Sequence, residues 1–208
     1  NGGSITTTGN SAYGLFSVGL SGVTGASVEA TGVTIKTSGT GAHAALVRGG
    51  SSIAIKDSTL EARGAGAAAL FASAFDLGAS TVVVGNSKLN AAQGAGIHVT
   101  GTTLNVTLTD GSSVTGDGTL SQAINNGTLN LDAASSTLTG AALTDVGSAT
   151  NMTLRADSVW TMTGSSNLTV LTNNGSAINF AAPTGDPTLQ SSFKTLTTGS
   201  YAGNGGTI

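Results

Sequence analysis

The sequence predicts an all-β fold, a right-handed parallel β-helix in which one chain winds through three strands per coil for roughly eight or nine coils. Three observations predict it. Glycine supplies 32 of the 208 residues and charged side chains only 8% of them, against averages of about 7% and about 25% in globular proteins. A unit of strand, glycine, small-residue stretch and strand recurs along the chain. Within the units, apolar residues alternate with polar ones at the period of two that marks a strand with one buried face.

The bulk composition is consistent with this. Disordered chains are highly charged and poor in β-branched residues, whereas this one is built from Gly, Ala, Ser, Thr, Asn, Val and Leu. Its length suits one domain with a substantial core. A net charge of −3 without a basic cluster lacks the electrostatic footprint of a nucleic-acid binder. The absence of cysteine excludes disulfides, thiolate metal sites and thiol catalysis. The opening Asn1-Gly2-Gly3 has no charged and apolar leader, which reads as an internal or processed piece. The longest apolar run, Ala65 to Phe75, is shorter than the ~20 residues of a membrane span, so no membrane insertion by this segment is expected.

The repeat is anchored by glycines. Residues 6–19, TTTGNSAYGLFSVG, align with residues 36–49, KTSGTGAHAALVRG, and counterparts follow in EARGAGAAALFAS, AAQGAGIHVTG, TGDGTLSQAINNG, TLTGAALTDVG and TMTGSSNLTVL. The anchors are Gly9, Gly39, Gly64, Gly94, Gly118, Gly140 and Gly164, at spacings of 30, 25, 30, 24, 22 and 24 residues. Such a period fits a β-solenoid whose corners vary in length. The leucine-rich repeat pattern of similar length is absent, as is any charged amphipathic helix.

Alternating pairs place the strands: Ile53 and Ile55, Val82 and Val84, Leu104 with Val106 and Leu108, Leu129 and Leu131, Met152 and Leu154, Ile178 and Phe180. The last full coil is read as three strands, around Val159–Met162, Leu168–Leu171 and Ala177–Phe180. Coils stacked at ~4.8 Å give a rod about 40 Å long. Glycine at the corners supplies φ > 0 or a close backbone approach.

At these residues the chain resembles the pertactin-like family of bacterial autotransporter passengers. The units TTTG-NSAYG-L and SSIAIKDSTLEARG carry the texture of that family. More specific is Val159-Trp160-Thr161-Met162-Thr163, followed by Ser166-Asn167-Leu168-Thr169 and Gly175-Ser176-Ala177-Ile178-Asn179-Phe180, which is similar to the C-terminal rungs of the family's β-helix. Residues 193–208, FKTLTTGSYAGNGGTI, resemble the start of its autochaperone cap. The resemblance implies a β-helix over 1–182 and the start of a cap over 183–208. It also implies export through the periplasm and outer membrane to the bacterial cell surface or medium. It implies no particular activity, since such passengers include adhesins, aggregation factors, proteases and esterases.

Candidate chemistry is sparse. His43 and His98 each follow an anchor glycine by four residues, in one column with Tyr13, Ala68, Gln122 and Thr144. Two rungs apart, or ~9.6 Å, they are too distant to share an ion, and a structural role is expected. Asp57, Asn86, Asp110, Asp132 and Asp157 precede serine-rich strand starts. Carboxylates on neighbouring rungs could reach glycosidase spacing, but turn residues that hydrogen-bond their own backbone are the simpler account. A polysaccharide lyase needs a basic group or cation beside the uronate, and Arg48, Arg63 and Arg155 are scattered with no calcium-binding acidic cluster. Gly39-Thr40-Gly41 and Gly64-Ala65-Gly66 recur at equivalent places and mark corners instead of a dinucleotide loop. No serine nucleophile motif is present. The sequons at Asn105, Asn126, Asn151, Asn167 and Asn174 do not by themselves imply glycans. Unequal spacings argue against an ice-binding threonine array. Lys36 and Glu61 are expected to pair across rungs, and Trp160 and Met162 to share a buried face.

The expected function is therefore a non-catalytic surface segment, adhesin, self-association surface or stalk, with no catalytic residues, cofactor or metal. Its partners are host-cell or bacterial surface molecules or further copies, and not nucleic acid. The alternative is a carbohydrate-active β-helix, lyase or glycoside hydrolase.

Overall fold

A computed structural model describes residues 2–20, 25–74 and 78–208. Asn1 and Phe75, the start of the opening tripeptide and the end of the longest apolar run, lie outside the described residues. The described chain is an all-β parallel solenoid whose helical content is one 3₁₀ turn, Gln190–Ser192. Its strands begin with β1 (Ser4–Thr7), β2 (Leu15–Val18), β3 (Ser27–Thr31), β4 (Thr34–Thr37), β5 (Ala45–Arg48) and β6 (Ser52–Lys56). Next come β7 (Thr59–Ala62), β8 (Leu70–Ser73), β9 (Ser80–Gly85), β10 (Lys88–Ala91), β11 (Ile97–Thr100) and β12 (Thr103–Thr109). β13 (Ser113–Ile124), β14 (Thr128–Ala133), β15 (Thr137–Thr144) and β16 (Ala149–Leu154) follow. β17 (Val159–Met162), β18 (Ser166–Asn174), β19 (Ala177–Phe180) and β20 (Leu196–Asn204) complete the series.

Strands β3, β6, β9, β12, β14, β16, β18 and β20 stack in that order as one eight-stranded sheet. The other twelve form a second sheet with two limbs, β1-β4-β7-β10 and β2-β5-β8-β11, which fuse at β13 and continue through β15, β17 and β19. All pairings between these strands are parallel. Three strands per coil thus describes the coils from β3 to β11. In β13 and β15 the two limbs run as one strand, and β17 and β19 continue the first limb alone.

The alternation predicts the core well. Ile53, Ile55, Val82, Val84, Leu104, Val106, Leu108, Leu129, Leu131, Met152, Leu154 and Ile178 are all buried. Phe180 departs from the pattern and is 41% exposed, because its strand, β19, is the last of its stack. Trp160 and Met162 are fully buried while Val159 and Thr161 face outward, as expected.

Changes of length sit in the corners and leave the strands in register. The inward column of the second sheet runs Ile5, Ile35, Leu60, Leu89, Val114, Leu138, Trp160 and Ile178. Its step falls from 30 residues at the first pair to 18 at the last. The corner between the two limbs shrinks as well: Leu70 lies ten residues after Leu60, Ile97 eight after Leu89, Ser121 seven after Val114 and Ala142 four after Leu138.

Two sequence expectations fall to this taper. Ala177–Phe180 is not the third strand of its coil, since it pairs in register with Val159–Met162 and belongs to the next rung. Gly94 is not equivalent to Gly64, because the shortened corner sets it against Ala67 instead. Where the corner keeps its length the expectation of close approach holds: a Cβ on Gly64 would lie 1.8 Å from the Gly39 carbonyl oxygen.

A buried serine ladder follows the other corner. Ser58, Ser87, Ser112, Ser136, Ser158 and Ser176 are all buried. The backbone N–H groups of Val33, Ser58 and Ser87 donate to the hydroxyls of Ser58, Ser87 and Ser112 one rung on, at 3.1, 3.0 and 3.4 Å. Those hydroxyls donate in turn to the Lys56, Gly85 and Thr109 carbonyls at 2.6, 2.8 and 2.6 Å. Corner N–H groups that no strand pairing reaches are thereby satisfied inside the rod.

The residues just before this ladder are turn residues. Asp57, Asn86, Asp110 and Asp157 have left-handed φ of 51°, 46°, 57° and 63°, a conformation that Asp and Asn tolerate better than most side chains. Asp132 does not share this role: it lies within β14, and Ser135 with φ 46° takes the corner, because two alanines separate Asp132 from the turn. At the C-terminal end, β20 pairs with β18 from Leu196 to Asn204.

Candidate functional surface

The eight-stranded sheet carries its polar side chains outward in registered columns. One column contains Thr81, Asn105, Asn130 and Asn151, and its neighbour Val83, Thr107, Asp132 and Thr153. The three asparagines form an amide ladder. Asn130 Nδ2 donates to Asn105 Oδ1 at 2.8 Å, and Asn151 Nδ2 donates to Asn130 Oδ1 at 2.9 Å. Beside it the Arg155 guanidinium grips the Asp132 carboxylate with both arms, Nε to Oδ1 at 2.7 Å and Nη2 to Oδ2 at 2.6 Å. The pair is open to solvent, where screening and side-chain entropy leave it little net stabilisation. Its main consequence is to cancel charge on this face.

These side chains line a shallow depression of about 300 Å³, bounded by Asn105, Thr107, Asn130, Asp132, Asn151 and Thr153. A second depression of about 390 Å³ lies nearer the N-terminus of the same sheet. There Ala54, Val83 and Gly85 form a low floor beside Glu29, Lys56 and Asp110. In the sequence Asn105 and Asn151 stand out only as sequons, and Asn130 does not stand out at all. The available signal was an asparagine one residue before an inward apolar residue in three successive repeats: Asn105-Val106, Asn130-Leu131 and Asn151-Met152.

The histidines are brought together differently from the expectation. Strand register places His98 in a column with Phe16, Leu46, Phe71, Gln122 and Leu143, while Tyr13 and Ala68 share the level of His43. His43 and His98 are therefore in separate columns, three residues apart along the strand, and Thr144 is in neither. Their rings still meet through Phe71. His43 stacks on Phe71 at 4.0 Å between centroids and on Tyr13 at 5.7 Å, and Phe71 meets His98 edge-on at 5.2 Å. His43 Nδ1 accepts the Ala68 N–H at 2.9 Å, which requires an unprotonated nitrogen there. Burial, aided by His98, lowers the His43 pKa from 6.5 to about 4, and burial also lowers that of His98.

The remaining candidates are engaged within the fold. Asn86 Nδ2 donates to Asp57 Oδ1 at 2.7 Å, and Thr109 Oγ1 to Asp110 Oδ2 at 2.8 Å. Lys36 and Glu61 do occupy one column on adjacent strands, but the Glu61 carboxylate binds Arg63 at 2.7 Å instead of Lys36. That contact, through its hydrogen bond first, holds Glu61 below the usual carboxylate range. The Arg48 guanidinium lies 5.2 Å over the Phe16 ring. At the near-fingerprint glycines, the Gly41 and Gly66 N–H groups donate to the Ala65 and Gln93 carbonyls of the next rung. Of the other sequons, Asn126 sits in a left-handed turn and Asn167 Nδ2 donates to the Thr144 carbonyl at 2.6 Å, while Asn174 ends β18. Among the described residues, no group of three or more His, Asp or Glu side chains is placed to hold a metal ion. No helix of the described residues is long and apolar enough to cross a membrane.

Compared with protein-family models, curated proteins and solved structures, the chain matches none of them. Fold and surface chemistry carry the functional argument.

Proposed function

We propose that the chain is a non-catalytic segment of a pertactin-like bacterial autotransporter passenger, serving as an adhesin, a self-association surface or a stalk. It works at the bacterial cell surface or in the medium, after export through the periplasm and outer membrane. In this reading the solenoid is right-handed with eight or nine coils. Eight strands stacked in one sheet support the count, and the ~98% right-handedness of parallel crossovers supports the hand. Residues 1–182 are then the β-helix and 183–208 the beginning of its cap. Its partners are host-cell or bacterial surface molecules or further copies of itself. It needs no cofactor, binds no nucleic acid and does not itself insert into a membrane.

The observation that carries the reading is the outer face of the eight-stranded sheet. From β12 to β16 amides and hydroxyls repeat there in register, and the one carboxylate in that stretch, Asp132, is neutralised by Arg155. Catalysis asks for an acid, a base and a charge-stabilising group converging on one point. Adhesion asks only for an extended complementary surface, and this face supplies one.

The test is display of the full passenger on bacteria, with and without Thr107→Lys and Thr153→Lys together. Loss of clumping and attachment, with the rod still folded by circular dichroism, is expected. Unchanged clumping and attachment overturn the reading.

A further inference from the structure

We propose, resting on the adhesive reading above, that the outer face around Asn130 and Asp132 binds a neutral oligosaccharide laid along the stacking axis. The amide ladder dictates the chemistry. An asparagine side chain has two N–H donors and an oxygen with two lone pairs. Asn130 spends one donor on Asn105 and one lone pair on Asn151, so it keeps one of each. Asn105 keeps both donors, and Asn151 keeps both lone pairs. Each Asp132 oxygen accepts one Arg155 N–H and retains further acceptor capacity.

The site therefore offers donors and acceptors side by side with little net charge. A hydroxyl group, which donates and accepts at once, satisfies both kinds. An anionic ligand would face the Asp132 carboxylate and a cationic one the Arg155 guanidinium. The ladder also repeats every ~4.8 Å along the axis, which suits a chain of repeating units more than a compact ligand. Because the amides hold one another in place, little side-chain freedom is lost on binding. The neighbouring depression extends the track: Ala54 and the half-exposed Val83 give it an apolar floor for the C–H face of a sugar ring.

The purified chain, applied to an array of neutral and acidic glycans, tests this. The neutral set includes microbial glucans, mannans and chito-oligosaccharides beside the neutral lactosamine chains of animal cells, so the source is read in the same experiment. Binding to one or more neutral glycans, insensitive to added salt, is expected. Asn130→Ala removes two amide contacts and Thr153→Arg fills the depression. Each should weaken binding at least about tenfold, the worth of a hydrogen bond or two. Asn90→Ala, on the outer face of the other sheet, should leave it unchanged. Native Trp160 emission in each variant reports that the rod is intact.

Failure to bind any neutral glycan, binding confined to acidic glycans and lost with salt, or an Asn130→Ala protein that binds like the parent each overturns the proposal. A blank array with clumping and attachment still lost in the Thr107→Lys, Thr153→Lys passenger rejects the oligosaccharide and leaves the adhesive reading standing. Glycan binding by the purified chain with clumping and attachment unaffected does the reverse.

Discussion

The Trp160 indole Nε1–H donates to the Gly140 carbonyl oxygen at 3.0 Å, tying the largest buried side chain to the tightest corner of the rung beneath it. That corner runs from Leu138 to Ala142, only four residues on. Gly140 holds φ at 127°, and a Cβ there would come within 2.2 Å of the Leu120 nitrogen, so glycine is what lets the corner close. Trp160→Ala is expected to cost ~3–5 kcal/mol through lost burial and the cavity left behind. Trp160→Phe, which keeps the aromatic bulk but orphans the Gly140 carbonyl, should cost ~1–3 kcal/mol. Urea denaturation followed by circular dichroism measures both, and the native parent should emit at the short wavelength of a buried indole.

The serine ladder makes a second prediction. Ser87 accepts the Ser58 N–H and donates to the Gly85 carbonyl in a buried setting. Ser87→Ala leaves the buried Ser58 N–H without its acceptor, while the Gly85 carbonyl keeps the Asp57 N–H, and should cost ~1–3 kcal/mol although it removes a single oxygen. Ser52→Ala, on the half-buried outer face of β6, should fall within ~0.5 kcal/mol of the parent. Equal effects in the two variants, compared by their urea midpoints, would show that the ladder does not stabilise the rod.

What was legible in the sequence follows from where the period is rigid. A strand buries every second residue whatever its neighbours do, so Val82 with Val84 and Leu104 with Val106 could be assigned from alternation alone. The column of Lys36 and Glu61 was legible because their coil keeps its length, with Gly39 and Gly64 stacked directly. The columns of His43 and His98 were not, since two residues are lost from the corner between Leu89 and Ile97. An anchor inside a corner cannot report the register of the strand beyond it. The same point removes the spacing argument against a threonine array, because unequal coils still stack in register. The column itself supplies the better argument: Thr34, Thr59, Lys88, Ser113, Thr137 and Val159 do not repeat one side chain.

His43 makes stability depend on pH. Its folded pKa, about 4, lies below the ordinary 6.5, so the unfolded chain binds the proton more readily than the native one. Stability should therefore fall as pH drops from about 6.5 to about 4 and level off below. The loss is on the order of 2 kcal/mol, discounted for the imidazole's partial contact with solvent. His98, lowered in the same direction by burial, adds to the slope. His43→Leu should be less stable at neutral pH, because the Ala68 N–H loses its acceptor, and should show a flatter profile over this range. Thermal melts of parent and variant across that pH interval test it, and parallel curves would exclude His43 as the source.

The last prediction separates the turn carboxylates from the face that we assign to function. Asp57, Asp110 and Asp157 hold left-handed corners, and Asn86 already performs that task in the same series, so asparagine should replace all three without loss of fold. The three carboxylates lie along one edge of the rod with the Asn86 and Ser135 corners between them, so no two of them stand on neighbouring rungs as an acid and a base would. The triple Asp→Asn variant, displayed in its passenger, should therefore clump and attach as the parent does. The Thr107→Lys and Thr153→Lys passenger should not, since each lysine adds an ammonium group beside Asp132, in the stretch of the face whose charge Arg155 otherwise cancels. The purified parent is likewise expected to leave polysaccharides uncleaved, with or without added calcium or zinc. Reducing-end and unsaturated-uronate assays check that directly. Polysaccharide cleavage by the parent that disappears in the triple variant would replace the adhesive reading with a carbohydrate-active one centred on those corners.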